Sequence, residues 1–290
     1  GYGERCGNAD LCAVIPNLKL KLGVDCVSDE DLRKLRDVSY FVSEVANMPP
    51  DDHRPFVGRS AFAHKGGVHV SAVLRHPRTY EHIEPERVGN ERRFVVSELS
   101  GGSNIVAKAR EIGLELDKAS PVVREVLREV KELESQGYQF EGAEGSFELL
   151  LRRRAGQYRK LFDILHMRVI VEKRGEEVVA EATLKLKVGE KVEHTVAEGD
   201  GPVHALDNAL RKALERHFPE LSDIRLTDFK VRVVDSPSGT AAKVRVLLES
   251  RDKDGTAWTT IGVSTNIIEA SWQALCEGIE YGLLRRREWK

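Results

Sequence analysis

The sequence predicts a mixed chain: a helical, loop-rich first part, then an α+β part in which three strands and a helix occur twice. Two observations carry this. Before about residue 155 the apolar residues recur at helical spacing, in stretches separated by Pro and Gly, whereas from about 165 they recur at every second position. The alternating stretch also repeats. Three short strands and one helical stripe end near Leu214, and the same succession ends near Ile279, giving two βββα units. A length of 290 residues suffices for about two domains.

Taken in order, 9–22 reads as a helix entered from a loop and broken or kinked at Pro16. Ser28 caps the next helix, with Asp31 as the acid of a capping box. Leu32, Leu35, Val38, Val42 and Val45 form its apolar stripe, and Pro49-Pro50 stops it. Residues 51–104 are rich in His, Gly, Pro and Arg and show no sustained period, which marks either a poor loop or a functional one; a short helix follows from Ile105. Ser120-Pro121 starts a helix with Val123, Val126, Leu127, Val130 and Leu133 on one face, and Gly137 ends it. Strands follow at Met167–Val171, Val178–Val188 and Val192–Val196, then a turn at Gly199–Pro202 and a helix carrying Val203, Leu206, Leu210 and Leu214. The second unit has strands at Phe229–Val233, Ala242–Leu248 and about 257–263, then a helix opened by Ser264-Thr265-Asn266 and carrying Ile268, Trp272, Leu275 and Ile279. One helix per unit covers one sheet face. Lys185, Lys187, Lys230, Arg232, Lys243 and Arg245 are expected on the other, solvated face, without the exposed aromatics of an RNA-binding sheet.

Composition excludes several classes. Hydrophobic residues make up 41% and charged residues 32%, a globular balance. A net charge of −2 gives no electrostatic case for nucleic acid or an anionic membrane, and no apolar run reaches the ~18–20 residues of a membrane span. Cys6, Cys12, Cys26 and Cys276 form no CxxC pair, and reduced thiols in a cytoplasmic protein are expected. The opening GYGERCGN is an odd start for an intact domain and suggests a fragment.

Three places hold side chains suited to chemistry. The opening loop carries Glu4, Arg5 and Asn8, with glycines that allow close backbone approach; a loop plus helix cap is the alternative. The segment Arg59–His69 sets His64, Lys65 and His69 about a Gly-Gly pair, and histidine moves protons near neutral pH, although a lone histidine is more often structural. Thr79-Tyr80-Glu81-His82 offers a tyrosine hydroxyl for an oxyanion, against a packed turn. There is no HxH pair, HExxH, P-loop or GxSxG, so no complete metal site or triad is written in the chain.

Several motifs together carry a family resemblance. GYGERCGN resembles the loop after the last barrel strand of the isopropylmalate, homocitrate and citramalate synthases, and GRSAFAHKGGVHVSAV (58–73) their linker-domain histidine motif. TYEHIEPERVGN (79–90) and SELSGGSNI (97–105) continue it in order, and 137–153 with 266–285 are most similar to the long-form citramalate type. The resemblance implies a TIM barrel, of which 1–26 would be the end, linker subdomains over 27–155, and a regulatory, dimerising domain of two βββα units over 156–290. It implies condensation of acetyl-CoA with pyruvate to (R)-citramalate and CoA, with a divalent metal (Mn, Mg or Zn) and isoleucine as effector of a homodimer. It also implies a chain that does not turn over alone, since the metal aspartate and HxH pair have no counterpart. By the same resemblance Asn8 lies at or near the metal, with Glu4 and Arg5 supporting that loop. His69 and Tyr80 reach the active site, with His64 and Lys65 beside them. Gly102 stands where a basic residue is expected, against a phosphate or CoA contact there. The turns holding Gly201, Pro202, Ser264, Asn266 and Ile267 are effector candidates, because helix-start N–H groups suit a carboxylate and Ile267 or Ile268 suits an apolar pocket; ordinary capping is the alternative. Isopropylmalate or homocitrate synthesis is the neighbouring reading, and a stand-alone amino-acid-binding module the reading from another class.

Overall fold

A computed structural model describes residues 1–3, 7–48, 50–95, 101–234, 236–287 and 289. Two compact units result, Gly1–Lys118 and Ala119–Lys290.

In the first unit Asp10 caps α1 (Leu11–Pro16), accepting from the Cys12 N–H. Arg54 grips the same carboxylate through Nε and Nη2 at 2.9 and 2.7 Å. Pro16 does not end the helix; the chain continues through a wider π-type turn over Asn17–Lys21. Ser28 caps α2 (Asp29–Arg33), as its capping-box spacing predicts, but the helix breaks at Lys34 before α3 (Leu35–Val45). The apolar stripe is only partly inside. Leu32 is buried, whereas Val38 and Val45 are exposed and Ser39 and Ser43 face inward. Tyr2 explains the inversion: its hydroxyl donates to the Ser39 carbonyl and sits 2.9 and 3.2 Å from the Ser39 and Ser43 hydroxyls.

The aperiodic stretch 51–104 is ordered by tertiary pairing. A two-residue strand β1 (Ala63–His64) lies parallel to β2 (Arg93–Phe94), too short for any sequence period. Between them runs α4 (Gly67–Arg75), and α5 (Gly102–Glu111) follows. The core below gathers Cys12, Leu32, Phe56, Val57, Phe62 and Val88.

The second unit begins with α6 (Pro121–Ser135), capped by Ser120 and burying Val123, Val126 and Val130, then α7 (Glu144–Arg154). β3 (Asp163–Arg174), β4 (Glu177–Val188) and β5 (Lys191–Gly199) form an antiparallel sheet in that order, followed by α8 (Pro202–Leu214). β6 (Arg225–Val233), β7 (Val244–Arg251) and β8 (Ala257–Ser264) form a second such sheet, followed by α9 (Ile267–Arg286).

Ala180, Ala182, Leu184 and Leu186 of β4 alternate onto one face and pack with Ala205, Leu206, Ala209 and Leu210 of α8; Val246, Leu248, Trp258 and α9 close the same core. Small residues on both partners bring helix and sheet close together. At Gly262 a Cβ would stand 2.0 Å from the Ala270 carbonyl oxygen, so β8 and α9 touch backbone to backbone. Polar bonds fix α7 on α9: Ser146 donates to Glu277, Arg153 reaches Glu277 and Glu280, and Tyr281 donates to Glu148. Not all the cations expected on the solvated face are solvated. Arg245 donates to the Gly137 carbonyl at 2.6 Å and to Gln139, and Lys243 to the Gln136 carbonyl, satisfying the end of α6.

Candidate functional site

The first unit brings together three of the four side chains proposed for catalysis. His64 ends β1, and the Gly66-Gly67 pair turns the chain into α4, whose first turn carries His69. Pro77 opens a short 3-10 turn that delivers Tyr80. The Tyr80 ring lies 4.2 Å from the His69 ring, centroid to centroid and tilted by 31°, and 6.5 Å from the His64 ring, edge to face. His69 and Tyr80 are exposed, while His64 is buried.

Sequence reasoning missed the pair beneath them. Glu81 is buried, and its Oε1 lies 2.9 Å from His64 Nε2. Arg92 closes on the same carboxylate in fork geometry, Nε to Oε1 and Nη2 to Oε2, each 2.6 Å. Burial alone would raise the Glu81 carboxyl; the bonds from Arg92 and His64 outweigh it and hold the group below the ordinary carboxylate range. The available signal was the acid beside Tyr80, eleven residues before an arginine, which only the fold turns into a contact. Arg92 also lines a cleft of about 600 Å³ with Glu81, His82, Arg78 and Arg87. Burial, with Lys21 nearby, pushes the His82 ring down.

The other candidates lie apart from this group. Glu4 and Arg5 are outside the described residues, as is the start (97–100) of SELSGGSNI, whose remainder leads into α5. Asn8 is exposed. Among the described residues no three His, Cys, Asp or Glu side chains stand where they would hold a metal ion. Lys65 is exposed, and its carbonyl accepts from Asn104. In the second unit Gly201 caps α8 without a side-chain hydrogen bond, and Pro202 takes the first helical position. At α9 the Asn266 side chain accepts from the Ile268 and Glu269 N–H groups, so two of the expected free donors are taken. Ser264 Oγ accepts from the Asn266 N–H, and Ile267 is half exposed.

Residues 56–138, which hold the His64–Arg92 group, match the family described as homocitrate synthase post-HMGL domain-like. Residues 141–283, with both sheets, match the LeuA allosteric (dimerisation) domain. Residues 56–138 and 141–283 thus resemble domains of the LeuA and homocitrate synthase group. Over 99% of its length it is 57% identical to the (R)-citramalate synthase of Geobacter sulfurreducens and 51% identical to that of Aquifex aeolicus, covering 55% of each. It is 30% identical to the 2-isopropylmalate synthase of Methanocaldococcus jannaschii over 99% of the chain and 54% of that protein. The chain thus spans about half the length of the curated relatives it matches.

Proposed function

We propose that this chain belongs to an (R)-citramalate synthase, an acyltransferase that joins acetyl-CoA to pyruvate and releases CoA in isoleucine biosynthesis. The carrying observation is the gap between 57% and 51% identity to two (R)-citramalate synthases and 30% to a 2-isopropylmalate synthase, over the same length of chain. In the condensation the acetyl methyl loses a proton, its carbon attacks the keto carbon of pyruvate, and water cleaves the thioester. His69, exposed on the first turn of α4, takes up or returns a proton at a ring nitrogen. Tyr80 Oη donates to the oxygen on which charge develops. His64 supports Tyr80 from beneath. The arginine-walled cleft suits an anionic co-substrate and has the size of a small-molecule site. A divalent metal (Mn, Mg or Zn) belongs to the same reading, with Asn8 proposed as one donor and Glu4 beside it. The division into 1–26 at a barrel end, 27–155 as linker and 156–290 as a regulatory βββα repeat forming a homodimer belongs to the same reading, as does a cytoplasmic location, supported by the free thiols of Cys12, Cys26 and Cys276.

The test measures CoA release by the full-length form of the protein with pyruvate, 2-oxoisovalerate and 2-oxoglutarate. Turnover selective for pyruvate supports the reading, whereas selectivity for 2-oxoisovalerate moves it to isopropylmalate synthesis. Isoleucine is proposed as effector at the turns around Gly201–Pro202 and Ser264–Ile267. Titrated beside leucine, valine and lysine, isoleucine alone is expected to add about 2.7 kcal/mol of stability at roughly 100 times its Kd.

A further inference from the structure

We infer that Glu81 is a positioning residue for the Tyr80–His69 pair: clamped by Arg92, its carboxylate fixes the His64 ring on which Tyr80 rests. The inference rests on the proposed reaction for its kinetic arm alone.

The geometry carries it. Glu81 joins three separate pieces of chain, namely His64 on β1, the loop that carries Tyr80, and Arg92 just before β2. Its side chain is 3% exposed, and the bonds to it come from the Arg92 guanidinium and the His64 imidazole. The fork from Arg92 leaves the carboxylate little freedom to rotate. An ionised carboxylate accepts only, so His64 must present N–H at Nε2, and the ring orientation is set with the tautomer. The ring lies between Tyr80, at 6.5 Å, and Phe94, at 6.3 Å. Tyr80 is thereby held twice, through the peptide bond to Glu81 and through the His64 ring, and its own ring stacks on His69. Since Tyr80 is about half exposed, its orientation depends on this support more than on a surrounding core.

The experiment compares Glu81→Gln and Glu81→Asp with wild type in the full-length form of the protein, reading kcat and KM for pyruvate, the pH profile of kcat, and the melting temperature. Glu81→Gln keeps the shape but removes the second acceptor for Arg92. The expected result is a fall in kcat of about 10- to 100-fold with KM changed less than about threefold, and partial recovery in Glu81→Asp. A kcat within about twofold of wild type in Glu81→Gln overturns the inference. Should Glu81→Gln not fold, Glu81→Asp decides: lowered kcat at unchanged melting temperature supports the inference, and wild-type kcat overturns it. A second arm needs no turnover. In this chain, long-range 1H–15N spectra are expected to show His64 protonated at Nε2, and the His69 and Tyr80 ring signals are expected to move in the same variant. Signals of His69 and Tyr80 that stay in place overturn the inference. Wild-type protein inactive toward pyruvate, together with shifted ring signals, overturns the proposed reaction and leaves the positioning role standing.

Discussion

Asn90 and Gly89 solve two backbone problems side by side. Phe56, buried and non-glycine, sits at φ +66°, and the Asn90 amide donates to its carbonyl and to that of Gly58 at 2.9 and 3.0 Å. Gly89 holds φ +73°, and a Cβ there would stand 2.1 Å from the Arg33 carbonyl oxygen. Gly89→Ala is therefore expected to cost about 3 kcal/mol or more in urea unfolding, since strain and clash add. Two glutamates, Glu81 and the partly buried Glu277, titrate in opposite senses. Glu81 has a depressed folded pKa, so its contribution is present above the ordinary carboxylate value near ~4.3 and is lost as pH falls through the folded value. Glu81→Gln should thus lose about 2 kcal/mol at pH 7, and the gap to wild type should close in acid. Burial pushes the Glu277 carboxyl up despite Arg153 and Ser146. The folded state then binds the extra proton, and wild type gains stability as pH falls through the raised value toward the ordinary one. Relative to wild type, Glu277→Gln should be most stable at alkaline pH, the advantage shrinking as pH falls; urea midpoints from pH 4 to 9 check both signs.

Elements were legible where a local signal was long enough. Ser28, Ser120 and Asn266 each cap the helix that their spacing announces, and β4 buries alternate residues. α3 misled because its valines mark a face that this chain leaves exposed, while Tyr2 satisfies the serines beneath. The strongly buried α7 lacks a one-sided pattern, because both α9 and β8 pack on it. β8 and α9 meet without side-chain spacing at Gly262, so Gly262→Ala is expected to destabilise the second unit by about 3 kcal/mol, checked by thermal and urea unfolding. At the end of α6, Arg245→Met removes the donor to the Gly137 carbonyl and should cost about 1 kcal/mol.

At the scale of the molecule, β6 is an edge strand with Phe229, Val231 and Val233 partly or well exposed. Their β7 partners Leu248, Val246 and Val244 point into or against the core below α9. An open apolar edge of this kind invites a second copy. If the homodimer uses it, light scattering should give about twice the monomer mass, and Val233→Asp should shift it toward the monomer. A wild-type monomer removes the dimer from the reading. The sequence by itself determined the helical or stranded character of each half and the caps, because helix and strand periods and capping chemistry act within a few residues. Only the tertiary structure joined His64, Glu81 and Arg92, buried the serines of α3 and sent Arg245 to the end of α6. Each of those contacts spans from eleven to more than a hundred residues of chain, and no local pattern specifies what a side chain meets across such a distance.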